Sequence, residues 1–376
     1  MGNKEVWQIY RPDAIVVWND ETVKHRLHWY YLVMKNLAPA KYHIAARIEA
    51  PRDYRSMDDA ELWKLHEELG REFDEEWAVQ KEKPDYSILG KDASAPSFLD
   101  VKIELARREL KRCRLCERRC GVDRTKRRGA CMLDDKPRVS SWFHHLGEEA
   151  PLVPSGTIFF SGCNFRCVYC QNWDISQRPE NGVEVTPRQL ALIQIRLRAE
   201  GAKNINWVGG EPTPNIHAIL ESLGELARRK ANVPQLWNSN MYLTLEGLNL
   251  ILHVMDIWLP DFKYGNDACA LKYSVAPRYV EVVSRNLSVI CRRGENVIIR
   301  HLVLPGHIDC CTKPVLKWIA QNCPNALVNV MDQYHPDYLV PNMARYSDIN
   351  RTVSEEEMEE AYRYADELGL VWRPVS

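Results

Sequence analysis

The sequence has no long hydrophobic run and no excess of charge of either sign. Its apolar stretches, such as Thr157 to Phe160, fall far short of the roughly 20 residues that span a bilayer, which excludes a membrane protein. The 50 Lys and Arg residues balance 51 Asp and Glu residues in a chain of 376, so the whole protein is not a polyelectrolyte. Its first residues lack the basic-then-apolar pattern of a secretory signal. We therefore expect a cytoplasmic protein, not a secreted disulfide scaffold.

The amino-acid composition is typical of a globular protein, with 45% hydrophobic and 27% charged residues, and the sequence contains twelve cysteines. In a reducing compartment, closely spaced cysteines indicate metal ligands and isolated ones indicate small core residues. Seven cysteines stand in two groups and five are scattered. The groups are Cys113, Cys116, Cys120 and Cys131, then Cys163, Cys167 and Cys170; the scattered ones are Cys269, Cys291, Cys310, Cys311 and Cys323.

From Ser155 onward, short apolar runs alternate with amphipathic stretches. A capping box of Thr186 with Gln189, with Pro187 at the first helical position, marks the start of the first helix. A strand followed by a helix, six times over, predicts an α/β fold with a parallel sheet, most simply a partial (β/α)6 TIM-like barrel. The six predicted strands are Thr157–Ser161, Asn204–Gly209, Gln235–Ser239, Asp256–Phe262, Val297–Leu304 and Ala326–Met331.

Composition divides the chain into four segments. Residues 1–105 form an N-terminal extension that is first aromatic and then acidic, and residues 106–150 form a small basic unit with four cysteines. Residues 151–345 form the barrel, and residues 346–376 carry a last helix that packs on it. Because loops leave a β/α barrel at the carboxyl ends of its strands, we expect the chemistry there.

Three cysteines directly follow the first predicted strand at the spacing C-x3-C-x2-C. Cys163, Cys167 and Cys170 lack the fourth ligand of a structural zinc site, but they can hold three irons of a [4Fe–4S] cube and leave the fourth iron open. The alternatives are a zinc knuckle or buried thiols. With Tyr169 before the last cysteine, the motif resembles that of the radical S-adenosylmethionine (radical SAM) superfamily. The resemblance implies a [4Fe–4S] cluster and S-adenosylmethionine as cofactors.

A second motif, Gly209, Gly210, Glu211 and Pro212, ends the second predicted strand. Glycines let a backbone approach a ligand closely, and a carboxylate suits an ammonium group. The motif resembles the one with which radical SAM enzymes hold the amino group of the methionine moiety.

Polar residues in later strands complete the predicted pocket, because a buried polar group must find a partner. Asp261, Lys263 and His301 resemble residues that line the S-adenosylmethionine pocket of glycyl-radical-enzyme activases. The alternatives are a plain ion pair between Asp261 and Lys263, and a core histidine at 301. Asn238 is a similar candidate, and residues 333–335 follow the sixth strand, where they would face substrate.

Over residues 106–370 the chain resembles the pyruvate formate-lyase activating-enzyme-like branch of the superfamily. The resemblance implies reductive cleavage of S-adenosylmethionine to a 5′-deoxyadenosyl radical, with electrons from ferredoxin or flavodoxin. We expect the radical to abstract hydrogen from a protein partner, as in an activase or protein modification. The alternatives are an enzyme that acts on a small molecule or RNA, and a non-catalytic iron–sulfur scaffold.

The four-cysteine unit supplies enough thiolates to close a tetrahedral site. Zinc and an auxiliary iron–sulfur cluster both suit Cys113, Cys116, Cys120 and Cys131, and the absence of any metal is the third alternative. Between Arg107 and Arg128, eleven basic residues stand against three acidic ones. This patch would meet nucleic acid or an acidic protein, but we favour a solvated face or an intramolecular partner of the acidic stretch from Asp53 to Asp92.

Overall fold

The computed structural model describes residues 7–376 and has a parallel sheet as its central element. Strands β2, β4, β5 and β6 are parallel neighbours, and β7 and β8 form a parallel pair that joins β6 through the bridges Trp258–Val297 and Asp261–Arg300. Strand β1 is antiparallel to β2, and β3 is antiparallel to β1. The strands are β1 (Arg138–His145), β2 (Ser155–Phe160), β3 (Val183–Glu184), β4 (Asn204–Gly209), β5 (Gln235–Ser239), β6 (Ile257–Pro260), β7 (Ile298–Leu302) and β8 (Leu327–Met331).

Helices connect these strands and precede them in the chain. Four begin with a capping box, at Asp58, Ser97, Thr186 and Ser354, where side chain and backbone satisfy each other's free groups. The α-helices are α1 (Trp7–Tyr10), α2 (Asp13–Val16), α3 (Glu21–Arg26), α4 (His28–Met34), α5 (Lys41–Ala45), α6 (Asp59–Glu82), α7 (Phe98–Lys111), α8 (Trp173–Ser176), α9 (Pro187–Ala199), α10 (Ile216–Arg228), α11 (Leu245–Leu252), α12 (Asp267–Ser274), α13 (Tyr279–Arg292), α14 (Lys313–Asn322) and α15 (Glu355–Glu367).

The predicted fold class is confirmed, because each of the six predicted strands is present and helices follow them. Parallel strands with helical crossovers form a partial barrel whose strand interiors are almost completely buried. The antiparallel strand β1 was not predicted. Polar and apolar residues mix along it, and Ser141 and Phe143 are exposed, so it lacks the continuous apolar run that marks the parallel strands.

The N-terminal region closes the bottom of the barrel, at the amino ends of the strands. Trp18, Leu27 and Tyr30 pack in one apolar cluster with residues at the starts of β5 to β8. Trp29 Nε1 donates a hydrogen bond of 3.0 Å to Asp256 Oδ1, just before β6. The expected boundary at 105/106 lies inside α7, which packs on both α6 and α10.

Two of the scattered cysteines differ from the prediction that they are core thiols. Cys291 and Cys323 form a disulfide that joins the end of α13 to the end of α14. The prediction was wrong here because nothing local in the sequence shows that these two helix ends meet. Among residues 7–376, none of the helices combines the length and apolar character needed to cross a bilayer.

Candidate functional site

The carboxyl ends of the parallel strands surround one cavity of about 250 Å³. Side chains from the loop after β2 form one wall, and residues at the ends of β4 to β8 form the others. The cavity brings together ten of the twelve residues predicted for the cluster and cofactor: Cys163, Cys167, Tyr169, Cys170, Gly209, Gly210, Glu211, Asn238, Asp261 and Lys263. Pro212 and His301 do not line it.

Each of the three loop cysteines has its own hydrogen-bonding neighbour. The backbone N–H of Phe165 donates to Cys163 Sγ at 3.3 Å. Ser274 Oγ lies 3.0 Å from Cys167 Sγ, and Ser176 Oγ lies 3.2 Å from Cys170 Sγ. Donors aimed at sulfur favour the thiolate form, which is the form that binds metal.

The chemistry of these thiols fits an iron–sulfur cluster. Burial raises the pKa of Cys163, Cys167 and Cys170, in the case of Cys167 to about 11. Buried thiolates therefore need positive charge beside them, which a metal centre supplies. Lys263 and Arg300 are cations that line the same cavity. Burial lowers the pKa of Lys263, but Asp261 and Cys167 raise it above the ordinary value overall.

The two glycines at the end of β4 hold the sheet against the cysteine loop. Gly209 has a φ of +122°, and a Cβ there would meet Phe160 O at 2.2 Å. A Cβ on Gly210 would meet Gly162 O, one residue before Cys163, at 2.0 Å. Any side chain at these positions would push the cysteine loop away, so both glycines serve the geometry of the site.

Glu211 is a buried carboxylate held in place from several sides. Its Oε1 accepts hydrogen bonds from Ser239 Oγ at 2.6 Å and Thr213 Oγ1 at 2.5 Å, and its Oε2 accepts one from the Asn240 N–H at 3.0 Å. Burial raises the pKa of Glu211, although these hydrogen bonds act in the opposite direction. Its oxygens are thus fixed at the cavity wall, one of them with a single protein donor.

Asn238, at the end of β5, carries an unpaired donor. Its side chain is 5% exposed and lines the cavity, yet its Nδ2 has no hydrogen-bond partner among residues 7–376. At the end of the adjacent strand β6, Lys263 Nζ lies 2.9 Å from Asp261 Oδ2 in an ion pair. A buried donor without an acceptor costs free energy, so Asn238 fits a polar ligand in this cavity.

His301 and Pro212 have structural surroundings instead. His301 Nδ1 lies 2.8 Å from Phe262 O and its Nε2 lies 3.0 Å from Thr312 Oγ1, so both ring nitrogens are occupied. Burial lowers its pKa to about 4. Side chains alternate along a strand, and it is Arg300 and Leu302, either side of His301, that face the cavity. Pro212 is buried at the start of a short 3-10 helix.

Residues that the sequence did not single out connect Tyr169 with the cysteines. The hydroxyls of Tyr169 and Tyr264 lie 2.6 Å apart, and Tyr264 lies 2.6 Å from Ser274 Oγ. Ser274 in turn contacts Cys167. No local signal reveals this chain, because Tyr264 and Ser274 lie 95 and 107 residues from Tyr169 and Cys167, their respective partners in the cysteine loop.

The four-cysteine unit lies directly beside the cysteine loop. Asn164, which follows Cys163, hydrogen-bonds to Cys116, and Cys113 shares a hydrogen bond with Cys120. Arg124 is 1% exposed and donates to the carbonyls of Asp134 and Pro214, with no carboxylate within 4.0 Å in the described chain.

The thiols beside this buried cation can balance its charge only as thiolates, because burial raises the pKa of Cys116 to about 12. Burial lowers the pKa of Arg124, but its interactions with Cys131, Cys113 and Cys116 raise the pKa above the ordinary value. A buried charge needs compensation, and an anionic metal–thiolate centre would provide it. The donor set therefore fits a metal, either zinc or an iron–sulfur cluster.

Most of the basic patch from Arg107 to Arg128 is paired inside the chain. Its partners lie on neighbouring elements, as in the ion pairs Arg107–Glu221, Arg108–Asp59 and Arg128–Glu180. Arg108 thus meets the acidic stretch, as we expected for part of the patch. Within residues 7–376, five residues of this patch have no ion-pair partner within 4.0 Å: Lys111, Arg112, Arg118, Arg124 and Arg127.

Comparisons with known proteins agree with this site. A family model described as the radical SAM superfamily matches residues 157–319. The uncharacterised protein MJ0674 of Methanocaldococcus jannaschii is 42% identical over 351 residues, which cover 92% of this chain and 98% of that protein. MJ0808 of the same organism is 24% identical over 251 residues, 60% of this chain and 71% of that protein.

Two solved structures have a weaker likeness. A domain of pyruvate-formate lyase-activating enzyme from Bacteroides vulgatus matches 45% of this chain and 96% of its own, with a TM-score of 0.35 and 16% identity. SuiB of Streptococcus suis, bound to S-adenosylmethionine, matches 55% of this chain and 44% of its own, with a TM-score of 0.40 and 9% identity. Likenesses of this size carry no argument about substrate.

Proposed function

The chain belongs to the radical SAM superfamily, and from this premise we propose that the cavity binds a [4Fe–4S] cluster through Cys163, Cys167 and Cys170, with S-adenosylmethionine beside it. The bound cluster supplies the electron that cleaves the sulfonium C–S bond, which yields methionine and a 5′-deoxyadenosyl radical. The observation that carries the proposal is the cavity itself, where three buried thiols meet a fixed carboxylate and an unpaired donor.

The residues around the cavity have separate tasks in this proposal. Glu211 binds the ammonium group of the methionine moiety, because its carboxylate is already fixed by Ser239 and Thr213 and needs no reorganisation. Lys263 binds the carboxylate of the same moiety, and Asn238 donates to an oxygen of the cofactor. His301 does not contact the cofactor. It hydrogen-bonds to the carbonyl of Phe262, the residue between Asp261 and Lys263 in the sequence, and so helps to position these two side chains.

Tyr169 and the glycines support the cluster. The hydrogen-bonded chain from Tyr169 through Tyr264 and Ser274 reaches Cys167 and fixes its side chain. Gly209 and Gly210 keep the cysteine loop close to the sheet, and Pro212 begins the turn that follows Glu211. Exclusion of water by these packed groups protects a reactive radical.

We propose as the substrate chamber a second cavity, which is lined by the N-terminal segment from Arg11 to Asp20, the turn before β2, the end of β8 and the C-terminal residues. It measures about 650 Å³ and shares Met331 and Gln333 with the smaller cavity. We propose that a segment of a protein partner enters it and loses a hydrogen atom, as in an activase or a protein-modifying enzyme. The resemblance of residues 106–370 to the activating-enzyme-like branch supports this choice.

A small molecule is the second candidate substrate. The volume of about 650 Å³ lies in the usual range of small-molecule pockets. RNA has less support, because ion pairs within the chain neutralise most of the basic patch. A low-potential donor, ferredoxin or flavodoxin, is required by the chemistry in either case.

The test is anaerobic cleavage of S-adenosylmethionine. Protein reconstituted with iron and sulfide receives dithionite and S-adenosylmethionine, and 5′-deoxyadenosine is quantified beside a Cys167→Ala variant. We expect product from the wild type and only background from the variant, since one cluster ligand is missing. A wild type that has a full cluster but neither makes product nor binds S-adenosylmethionine would be a scaffold, and the proposal would fail.

The substrate class is then read from stimulation. Proteome fractions that raise 5′-deoxyadenosine formation, and lose that effect after protease treatment, indicate a protein substrate. Stimulation that survives protease and passes a small-pore filter indicates a small molecule, whereas sensitivity to ribonuclease indicates RNA.

For the four-cysteine unit we propose a metal centre whose negative charge offsets Arg124. Elemental analysis of the reconstituted protein separates the alternatives. Zinc that disappears in Cys113→Ser identifies a zinc site, and a loss of four irons in the same variant identifies an auxiliary cluster.

A further inference from the structure

A third group of cysteines lies outside both predicted metal sites. Cys269 is in the first turn of α12, and Cys310 and Cys311 are consecutive residues in a π-helical turn, Ile308–Thr312, after β7. In the sequence they look like isolated thiols. In the structure their three Sγ atoms all lie within 4.8 Å of one another.

The spacing of these sulfurs suits a single ion. Zinc–thiolate bonds measure about 2.3 Å, so two thiolates on one zinc ion lie no more than about 4.6 Å apart. Cys310 Sγ and Cys311 Sγ are separated by 3.9 Å, and the whole group is within 4.8 Å before any ion is bound. In the part of the chain that the structure describes, this is the one group of three His, Cys, Asp or Glu ligand atoms with such spacing.

Asn266 forms a second layer around the sulfurs. Its Nδ2 lies 3.3 Å from Cys269 Sγ, 3.6 Å from Cys311 Sγ and 2.9 Å from the Cys310 carbonyl oxygen. Amide N–H groups directed at sulfur stabilise thiolate charge and orient ligands, as outer-shell partners of metal sites do. Cys269 is also in the first turn of α12, where the helix dipole favours a negative charge.

The backbone around the group is built for close approach. A Cβ on Gly265 would meet the carbonyl oxygens of Cys311 and Cys310 at 2.8 and 2.9 Å, so only glycine lets the loop after β6 lie against the π-helical turn. Cys311 is buried, Cys269 is half-buried and Cys310 is exposed. The group therefore has a closed side, formed by protein, and an open side, through which an ion can enter.

We propose that Cys269, Cys310 and Cys311 bind one thiophilic cation, Zn²⁺, through three thiolates, with a fourth coordination position open to solvent. Soft thiolate ligands select zinc over hard cations such as Mg²⁺ and Ca²⁺. Three protein ligands with one open position form the arrangement in which zinc accepts an exogenous ligand. This site is independent of the proposed function, because no residue of it lines the S-adenosylmethionine cavity.

The experiment measures zinc in the full-length, cluster-reconstituted protein. Zn²⁺ is titrated against a chromophoric chelator, and bound metal is quantified after gel filtration, in the wild type and in Cys310→Ser. Cys310 is exposed, so this variant is expected to fold. The matched control is Cys291→Ser/Cys323→Ser, which removes two sulfurs from the same half of the barrel without touching the group.

We expect the wild type and the control to bind one equivalent of Zn²⁺ more than Cys310→Ser does. With Co²⁺ as the probe, the sulfur-to-cobalt charge-transfer absorption should be weaker in Cys310→Ser by the contribution of this site. Equal zinc content and equal Co²⁺ spectra in the wild type and Cys310→Ser would overturn the proposal. A disulfide within the group that persists under the anaerobic, reduced conditions of the titration would overturn it as well.

A second variant tests the outer layer without removing a ligand or adding one. Asn266→Ser keeps an oxygen to cap α12, where Asn266 Oδ1 accepts from the Cys269 N–H at 2.8 Å, but it loses both amide N–H donors. We expect Zn²⁺ affinity to fall about 10- to 100-fold. An unchanged affinity would contradict the assignment of Asn266 as a partner of metal-bound thiolates.

Discussion

The two ends of the barrel differ in what their side chains do. At the carboxyl ends of the strands, cysteines, Glu211 and Lys263 surround a cavity. At the amino ends, apolar residues from β5 to β8 pack against Trp18, Leu27 and Tyr30 and leave no comparable polar surface in their cluster. One end thus carries the chemistry and the other carries stability, which is the usual division in β/α barrels. Substitutions at the two ends should therefore have separable effects.

The largest effect is expected at the amino end, in a buried ion pair. The side chains of Lys41 and Glu295 are both fully buried and paired, and Lys41 Nζ lies 3.6 Å from the centroid of the Trp77 ring. Lys41→Met removes the closer of the two cations beside Glu295 and leaves only Arg293, whose Nε lies 3.6 Å from Glu295 Oε1, so we expect unfolding free energy to fall by about 3–5 kcal/mol. Urea unfolding measures this change in free energy. The iron content of the folded fraction should not change, and recovery of stability in Lys41→Met/Glu295→Leu would identify the unpaired charge as the cause.

A substitution at Gly210 should affect both the stability of the fold and the cysteine site. Gly210→Ala places a methyl group against the Gly162 carbonyl, so we expect a loss of about 1–3 kcal/mol from overpacking, together with reduced iron content. Gly90→Ala is the matched control, because a Cβ there would meet nothing within 4 Å. Thermal unfolding and iron analysis of both variants suffice. If Gly210→Ala loses neither stability nor iron, the glycine does not hold the loop.

A smaller effect follows from a buried histidine of the N-terminal region. Burial lowers the pKa of His43 to about 3, whereas the unfolded chain has the ordinary value of 6.5. Between these values the unfolded state binds a proton that the folded state does not. Above pH 6.5 both states hold His43 neutral, so the residue does not change the unfolding free energy. Below pH 6.5 the unfolding free energy falls progressively. At pH 5 the difference is about 2 kcal/mol. His43→Gln should remove this part of the acid sensitivity in unfolding experiments between pH 7 and 5.

Protonation of Asp256 changes the unfolding free energy in the opposite direction over the same pH range. Burial raises its pKa to about 6, so in this group the folded state binds a proton first as the pH falls, which stabilises the protein. A wild type that loses no more stability than His43→Gln between pH 7 and 5 would show that His43 is not held neutral.

The smallest effect is expected from Asn238, at the carboxyl end. Its amide nitrogen has no partner within the described chain, so Asn238→Ala removes no protein hydrogen bond of that group. We expect S-adenosylmethionine to bind about tenfold more weakly, which corresponds to about 1.4 kcal/mol, while unfolding free energy changes by about 1 kcal/mol or less. Isothermal titration and urea unfolding give the two numbers. A variant with lower stability and unchanged affinity would assign Asn238 to the fold.

Local sequence patterns were sufficient to predict the barrel and the cysteine loop. Buried parallel strands are continuous apolar runs, helix starts have capping boxes, and three cysteines within eight residues fix their own proximity. The cysteine motif and the motif Gly209 to Pro212 resemble those of the radical SAM superfamily, and the family comparison confirms that resemblance. Long-range contacts were not accessible in this way. The group of Cys269, Cys310 and Cys311 and the docking of Trp29 on Asp256 depend on which loops meet after folding.

The strand residues show a further limit. Apolar and polar residues in β7 predict a buried strand, but the choice between Arg300 and His301 as the inward-facing residue depends on the register of the barrel. The resemblance favoured His301, and the structure directs Arg300 to the cavity. If Leu302 were known to face the cavity, the alternation of side chains along β7 would place Arg300 on the same face and His301 on the other. The sequence alone does not show which way Leu302 points.

The disulfide between Cys291 and Cys323 affects how this protein is handled. Cluster assembly in the test tube uses thiol reductants, and thiols open disulfides by exchange. The bond closes a loop with a sequence separation of 32 residues, for which chain entropy gives a stabilisation of about 3–4 kcal/mol. As-isolated and reconstituted samples are then covalently different molecules. Their melting temperatures are comparable only after the oxidation state of this bond has been measured by mass spectrometry of alkylated peptides.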